Sequence, residues 1–156
     1  MKPAIGEPAP DFSAYAVYPE DGGTEQVQLG DLRGRRVVLV FYPKDNTPGC
    51  TMQACAIRDQ WDELKDKALI FGISGDGEAS HKKFISKRKL PYPLLVDTDH
   101  KIAEAYGAWV QKSLFGKKYM GIERSTFVIG EDGKLEHIFE RVRPTKHIRV
   151  LLEALD

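Results

Sequence analysis

The hydrophobic and polar positions along the chain alternate between strand-like and helix-like patterns. Residues 37–42 form a short, continuously apolar run rich in β-branched and aromatic side chains, which is typical of a strand buried on both faces of a largely parallel sheet. Leu69–Ser74 has the same character. A stripe of apolar side chains between these two runs predicts a helix over residues 50–65.

The rest of the chain continues this alternation. Before the first buried strand, weak alternation on either side of Asp21-Gly22-Gly23 predicts an N-terminal β-hairpin. After the second, the pattern predicts a helix over residues 79–87, a short strand at Leu94–Val96 and a small helix over residues 102–107. Two late strands flank a turn signal at residues 131–134. The apolar positions of a final amphipathic helix are Ile148, Leu151, Leu152 and Leu155.

The order of these elements predicts the fold class. It runs β-hairpin, βαβ, αβ, β-hairpin and α, with a glycine-bounded loop over residues 113–121, and it favours an α/β sandwich whose mixed β-sheet is flanked by helices. The 156 residues contain no repeat, low-complexity tract or linker, so we expect one domain over residues 1–156. Apolar residues make up 42% of the chain and charged residues 29%, which excludes the disordered and fibrous classes.

Charge and hydropathy restrict the expected partners and location. The 23 basic and 23 acidic residues balance, so no global field would attract nucleic acid or an anionic membrane. Residues 1–10 contain no apolar core or cleavage signal, and no segment approaches a membrane span. These features predict a cytoplasmic protein. In that reducing compartment, two cysteines are more often catalytic, redox-sensing or metal-binding than a structural bridge.

The candidate chemistry lies at the two cysteines, Cys50 and Cys55, where the apolar run ends and the helical pattern begins. A thiol that opens a helix meets unpaired backbone N–H groups and the positive end of the helix dipole. Both features favour thiolate over thiol. A reactive thiol is therefore predicted at Cys50.

The residues around Cys50 resemble a known family. Residues 43–50 match the Pro-x-x-x-Thr-x-x-Cys signature of the peroxiredoxins, thiol peroxidases with a thioredoxin-like fold. Cys55, five residues further on, is similar to the arrangement in the subfamily of bacterioferritin comigratory protein, or PrxQ. The similarity extends through most of the chain, with matching stretches at residues 41–45, 91–97 and 119–127.

The resemblance implies an antioxidant peroxidase with a two-cysteine cycle. Cys50 would be the peroxidatic cysteine, which reduces hydrogen peroxide or an organic hydroperoxide and becomes a sulfenic acid. Cys55 would be the resolving cysteine, which condenses with it to a Cys50–Cys55 disulfide. Thioredoxin or a similar dithiol protein would reduce that disulfide, and neither a cofactor nor a metal would be required. Because Cys55 lies in the same chain, a monomer is expected.

The same resemblance assigns the groups that act on the peroxide. Arg124 would supply a permanent positive charge and several donors to the thiolate and to a peroxide oxygen. Thr47 would orient the peroxide by hydrogen bonding, and the backbone N–H groups of Gly49 and Cys50 would complete an anion-holding turn. Pro43, which lacks an N–H, would screen the sulfur from water.

Helix geometry adds a constraint on the implied disulfide. Two residues five apart on a regular helix are separated by ~7.5 Å along its axis and by about 140° around it. Their Cα atoms then exceed the ~7 Å limit for a disulfide. Formation of a Cys50–Cys55 bond must therefore unwind the predicted helix.

Each of these residues also has a simpler interpretation. A lone cysteine at a strand-to-helix junction is more often a small buried apolar residue, although the matching spacings of Cys50 reverse that preference. Cys55 could fill the core, Thr47 could only cap the helix, and Arg124 could be a surface ion-pair residue.

Three other functions compete with a peroxidase. A thioredoxin-type disulfide reductase needs Cys-x-x-Cys, but Thr47 occupies the place of the first cysteine. A structural zinc module is disfavoured because the histidines lie far from the cysteines in the sequence. A peroxide-responsive sensor or binding module with slow turnover shares the chemistry and stays open as the alternative.

Overall fold

A seven-stranded mixed sheet lies at the centre of the fold in the computed structural model, which describes residues 2–19 and 23–156. The strands in chain order are β1 Ser13–Val17, β2 Thr24–Gln28, β3 Val37–Phe41, β4 Leu69–Ser74, β5 Leu94–Val96, β6 Trp109–Leu114, β7 Lys117–Ile122, β8 Ser125–Ile129 and β9 Leu135–Glu140. The large sheet has the order β2-β1-β5-β4-β3-β8-β9, and β6 and β7 form a separate two-stranded sheet.

The strand directions confirm a mixed sheet but correct one expectation. Strand β4 is parallel to both β3 and β5, whereas the other pairings of the large sheet are antiparallel. The expectation that β3 lies in a largely parallel sheet is therefore wrong. The reason is that antiparallel hairpins flank the parallel strands β3, β4 and β5 on both sides, β1–β2 at one edge of the sheet and β8–β9 at the other.

The helices cover the two faces of the sheet unequally. They are α1 Pro48–Asp59, α2 Trp61–Leu64, α3 Glu78–Arg88, α4 Lys101–Ala105 and α5 Pro144–Leu155, with a 3-10 helix at Leu29–Leu32. Apolar residues of α1, α2, α3 and α5 share one core with the sheet, and α4 packs into the core on the other face. Strand β3 contributes side chains to both cores, and each of its residues is buried. A strand buried on both faces was predicted for this segment.

The predicted N-terminal hairpin corresponds to β1 and β2. These strands pair antiparallel from Ser13 opposite Gln28 to Val17 opposite Thr24. Of the turn signal between them, Asp21 and Gly22 lie outside the described residues.

The helix predicted over residues 50–65 differs from the observed helices at both ends. It begins two residues earlier, at Pro48, because proline is well suited to the first helical position, where its missing N–H has no partner to lose. It is also divided at Gln60, whose ψ of 18° lies outside the helical range. Helices α1 and α2 therefore replace one continuous helix.

The loop predicted over residues 113–121 is instead part of the β6–β7 hairpin. Its turn consists of Phe115 and Gly116, with φ angles of 51° and 80°. Two consecutive residues with positive φ are the requirement of a two-residue hairpin turn. Phenylalanine is not a residue typical of such turns, which is why the sequence pattern did not indicate one.

One further property of the helices concerns membranes. In the part of the chain that the structure describes, no helix combines the length and the apolar character that crossing a bilayer requires.

Candidate functional site

The register of the sheet brings the predicted site residues to one end of β3. Phe41, the last residue of β3, lies opposite Ser125, the first residue of β8. Arg124 immediately precedes Ser125, and the chain that leaves β3 passes through residues 43–47 into α1. Arg124 and the N-terminus of α1 therefore meet, although they are far apart in the sequence.

The central contact of the site joins Arg124 to Cys50. The Nη2 atom of Arg124 lies 3.4 Å from the Sγ atom of Cys50, which is within hydrogen-bond distance for sulfur. Cys50 is the third residue of α1 and only 2% exposed. The guanidinium charge and the helix N-terminus both favour a negative charge on this sulfur. Both cysteines of the chain are free thiols.

Gln53 holds the arginine in place. Its Oε1 atom accepts a hydrogen bond from Nη1 of Arg124, while Nη2 of the same guanidinium contacts Cys50. Gln53 is buried, and its Nε2 atom has no hydrogen-bond partner among the residues described. Cys50 and Gln53 are three residues apart on α1, so they face the same side of the helix. That spacing was the one signal in the sequence that could have indicated Gln53.

Gly49 permits the close approach of the arginine. A Cβ atom at this position would lie 3.2 Å from Nη2 of Arg124 and 3.5 Å from Cγ of Pro144, the first residue of α5. The contact with Pro144 is an ordinary van der Waals distance, but the guanidinium would have to move by a few tenths of an ångström to admit a side chain. Glycine therefore lets Arg124 keep its position.

Thr47 lies at the N-cap position of α1 but does not cap the helix with its side chain. Its hydroxyl instead donates a hydrogen bond to the backbone oxygen of Lys44 at 2.8 Å. Because its proton is used in this way, Oγ1 faces any ligand as an acceptor.

Pro43 and Arg124 line the same open pocket. The β6–β7 hairpin and the chain before α5 form its other walls, with the lining residues Val110, Gln111, Lys112, Ser113, Tyr119, Glu123, Arg141, Val142, Arg143 and Pro144. Burial and, secondly, the charge of Arg124 lower the pKa of Lys112. The lining of the pocket nevertheless has more basic than acidic side chains, with three arginines and Lys112 against Glu123, so positive charge is in excess beside the buried sulfur.

Cys55 lies apart from this group of residues. It is half-buried on α1, which is helical from Pro48 to Asp59, so regular helix geometry places its Cα about 9 Å from that of Cys50. Its neighbour Ala54 accepts a hydrogen bond from the hydroxyl of Tyr92 through its carbonyl oxygen, at 3.3 Å. The structure thus brings together Pro43, Thr47, Gly49, Cys50 and Arg124 at one end of the sheet, with Cys55 further along the helix.

Within residues 2–19 and 23–156, no three or more side chains of His, Cys, Asp and Glu form a group that could hold a metal ion.

Comparison with known proteins identifies the family. The AhpC/TSA family matches residues 5–138. Peroxiredoxin Bcp of Bacillus subtilis (strain 168) is 45% identical over 152 residues, which cover 97% of this chain and 94% of that protein. Peroxiredoxin Bcp of Escherichia coli (strain K12) is 45% identical over 151 residues, which cover 96% of this chain and 94% of that protein.

Solved structures show the same relationship. Bacterioferritin comigratory protein of Xanthomonas campestris superposes with a TM-score of 0.84 at 32% identity, covering 92% of this chain and 89% of that one. PrxQ of Xylella fastidiosa, in a mutant with one cysteine replaced by serine, superposes with a TM-score of 0.87 at 27% identity. The superposition covers 97% of this chain and 94% of that one.

The fold and these relatives define a thiol peroxidase with a thioredoxin-like fold. The chain belongs to the AhpC/TSA family and, within it, to the peroxiredoxins of the Bcp or PrxQ type. The fold class and the family predicted from the sequence are thereby confirmed, as is an enzyme of the oxidoreductase class.

Replacement of Gln53 by alanine tests the support of the arginine. In Gln53→Ala, Arg124 loses an acceptor, so its guanidinium is held less firmly against the sulfur. We expect the second-order rate constant for oxidation by hydrogen peroxide to fall about 10-fold to 100-fold, as for other small displacements of active-site groups. Stopped-flow tryptophan fluorescence measures this rate. The control is Gln60→Ala, because Gln60 is exposed just beyond α1; an equal loss in both variants would refute the role of Gln53.

His147 on α5 makes stability depend on pH. Its Nε2 atom lies 2.7 Å from Oγ1 of Thr126, and its Nδ1 atom has no partner within the described part of the chain. Burial and, secondly, the charge of Arg124 lower the pKa of His147 from 6.5 to about 4. The folded state thus resists protonation of this ring.

The lowered pKa of His147 predicts a loss of stability in mild acid. The contribution of His147 is complete above pH 6.5 and declines as the pH falls toward 4, because the unfolded chain binds the proton first. The loss is on the order of 3 kcal/mol over that interval. Urea unfolding across this pH range should show a shallower decline for His147→Gln than for the wild type, and equal slopes would contradict the assignment.

Proposed function

We propose that Cys50 is the peroxidatic nucleophile of this thiol peroxidase and that Cys55 resolves its sulfenic acid as an intramolecular disulfide. The observation that supports the proposal most strongly is the 3.4 Å contact between Arg124 Nη2 and Cys50 Sγ at the N-terminus of α1. Arginine keeps its charge at all relevant pH values, so it stabilises a thiolate without exchanging a proton with it. Cys55 has no such partner among the contacts described.

The first step forms a bond between sulfur and oxygen. The Cys50 thiolate attacks one peroxide oxygen, the O–O bond breaks, and the second oxygen leaves as an alcohol or as water after it takes up a proton. The sulfur is oxidised to a sulfenic acid and the peroxide is reduced. Donors that face the developing oxygen charge accelerate such a step.

Four residues near the sulfur suit the roles that we propose in that step. Arg124 and the backbone N–H of Gly49 stabilise negative charge on the peroxide oxygens. Thr47 accepts a hydrogen bond from the O–H of the peroxide, because its own proton is donated to Lys44. Pro43, which lines the pocket and lacks an N–H, limits the access of water.

The second step requires α1 to unwind. Cys50 and Cys55 are too far apart on a regular helix, by the geometry given above, for a disulfide to form. The N-terminal end of α1 is the less stable end, because the side chain of Thr47 does not cap it. Its C-terminal end is anchored, since Nη1 of Arg58 donates a hydrogen bond to the backbone oxygen of Arg88 on α3 at 2.6 Å. Unwinding therefore starts at Pro48 and proceeds toward Cys55.

Once the segment has unwound, the Cys55 thiol attacks the sulfur of the sulfenic acid. The S–O bond breaks, a disulfide forms, and water leaves. A dithiol protein then reduces the disulfide by thiol exchange and becomes oxidised itself. Thioredoxin is the reductant that we propose, acting on a monomer in the cytoplasm.

Hydrogen peroxide and organic hydroperoxides are the substrates that we propose. The pocket beside Arg124 is open, and Val110 and Tyr119 contribute apolar surface to it. For the bacterioferritin comigratory protein of Xanthomonas campestris, alkyl peroxide reduction activity was described from trapped intermediate and ligand complex structures. At 32% identity, that relative supports an alkyl substrate here.

Cysteine variants test the cycle directly. In a stopped-flow reaction of the reduced protein with one equivalent of hydrogen peroxide, we expect rapid oxidation of the wild type, ending lighter by the mass of two hydrogen atoms. Cys55→Ser should react as fast and accumulate sulfenic acid, which dimedone traps. Cys50→Ser should not react. Oxidation of the wild type no faster than that of a free cysteine would favour the sensor or binding module instead.

The reductant and the unwinding step need a separate experiment. We expect thioredoxin with its reductase and NADPH to sustain turnover of the wild type with either hydrogen peroxide or an alkyl hydroperoxide. Glutathione with glutaredoxin is the matched comparison, and a higher rate with that system would contradict the choice of reductant. In the disulfide state, amide exchange should be faster over residues 50–56 than in the reduced state, and equal protection would refute unwinding.

A further inference from the structure

A buried histidine that the peroxidase cycle does not use lies next to the loop that leads to Cys50. His81 on α3 is completely buried. Its Nδ1 atom lies 2.8 Å from Oδ2 of Asp45, and its Nε2 atom lies 2.8 Å from the backbone oxygen of Leu95 on β5. Asp45, also buried, belongs to the loop of residues 43–47.

Both ring nitrogens of His81 face oxygen atoms that accept hydrogen bonds. The carbonyl oxygen of Leu95 has no proton to donate, so Nε2 must carry one. Oδ2 of Asp45 is an acceptor when the carboxyl group is ionised, so Nδ1 must then carry a proton as well. A ring with both nitrogens protonated is an imidazolium.

The other partners of Asp45 indicate that its carboxyl group is ionised. The hydroxyl of Tyr42 donates to Oδ1 at 2.6 Å, and the hydroxyl of Ser80 donates to Oδ2 at 2.8 Å. Burial and then the charge of Asp45 raise the pKa of Tyr42, so this hydroxyl keeps its proton. These two hydroxyl donors favour the carboxylate, which needs a cation when it is buried.

We propose that Asp45 and His81 form a buried ion pair, carboxylate against imidazolium, that positions the loop of residues 43–47 beside Cys50. This inference rests on the proposed role of Cys50, and Asp45 and His81 act in it as positioning residues that touch neither sulfur nor peroxide. The titratable groups that face the pair include Tyr42, which directly follows β3, and Tyr92, which precedes β5. Asp76, after β4, accepts a hydrogen bond from the backbone N–H of Asp45 at 2.8 Å.

Hydrogen bonds on both sides of Asn46 hold the loop. Asn46 has a φ of 59°, in the left-handed region, which asparagine adopts more readily than other residues with a side chain. Asp45 is fixed on one side of this residue, and Thr47 is bonded back to Lys44 on the other. The ion pair therefore fixes the direction in which the chain leaves β3, and with it the positions of Pro43 and Thr47.

The protonation of His81 can be measured in the wild type without any substitution. Long-range 1H–15N spectra at pH 7 should show two ring N–H groups for His81, identified by their absence in His81→Gln. His147 is an internal comparison: its lowered pKa keeps its imidazole neutral at pH 7, and a neutral imidazole has a single ring N–H group. A single ring N–H on His81 would overturn the ion pair, whatever the peroxidase assays show.

Kinetics of Asp45→Asn test the positioning role. With the loop released, the second-order rate constant for hydrogen peroxide should fall about 10-fold to 100-fold, and alkylation of Cys50 by iodoacetamide should stay within about threefold of the wild type. The matched control is Asp66→Asn, the same change at an exposed position. It should react like the wild type.

Two results of this kinetic test would refute the positioning role. One is a peroxide rate for Asp45→Asn within about twofold of the wild type, well short of what misplaced groups cost. The other is a large rise in alkylation, which would show general loosening of the fold. If Asp45→Asn does not fold, the ring N–H count in the wild type still decides on the ion pair. If both Cys50→Ser and Asp45→Asn still react with peroxide like the wild type, the proposed function itself is refuted.

Discussion

The antiparallel pairing of β3 with β8 is the constraint on which the site depends. Phe41 and Ser125 lie opposite each other, so Arg124 emerges where the chain leaves β3 for α1. A shift of this register by one residue would turn the side chains of β8 to the opposite faces of the sheet. The guanidinium would then leave Cys50. Because every residue of both strands is buried, such a shift is strongly disfavoured. The packing that stabilises the core therefore also fixes the position of the Arg124 guanidinium.

The sequence was most informative where the chemistry is local. The segment from Pro43 to Cys50 is continuous, so its spacing and the buried strand before it were enough to predict a thiol at a helix N-terminus. Arg124 was found only through the family resemblance, because its position depends on a strand pairing that composition and periodicity do not encode. The contact between Asp45 and His81 was not predicted because it depends on how α3 packs against the loop after β3, which the sequence pattern does not encode either. The β6–β7 hairpin was missed because its turn places a phenylalanine where glycine or asparagine is expected.

Helix α1 has to satisfy two opposing requirements in the proposed cycle. In the reduced state it must be regular, since it presents Cys50 to Arg124 and carries Gln53, the acceptor that orients the guanidinium. In the next step the same turns must come apart. The two ends of the helix differ in how firmly they are held. The end near Pro48 has no side-chain cap, whereas Arg58 fastens the other end to α3. When these turns unwind, Gln53 moves away and no longer holds Arg124. The guanidinium then stabilises a thiolate at this position less well, at a point in the cycle when the thiolate has already been consumed.

The uncapped start of α1 has a consequence for survival under oxidative load. In the proposed cycle, the sulfenic acid on Cys50 persists for as long as the helix takes to open, and during that interval a second peroxide molecule can oxidise it further. The sulfinic acid that results is not reduced by thiols, so each such event permanently inactivates one molecule. A helix that opens readily shortens the interval. In that cycle the hydroxyl of Thr47, by bonding to Lys44 rather than to the helix, would extend the number of turnovers that each copy of the protein completes before it is lost.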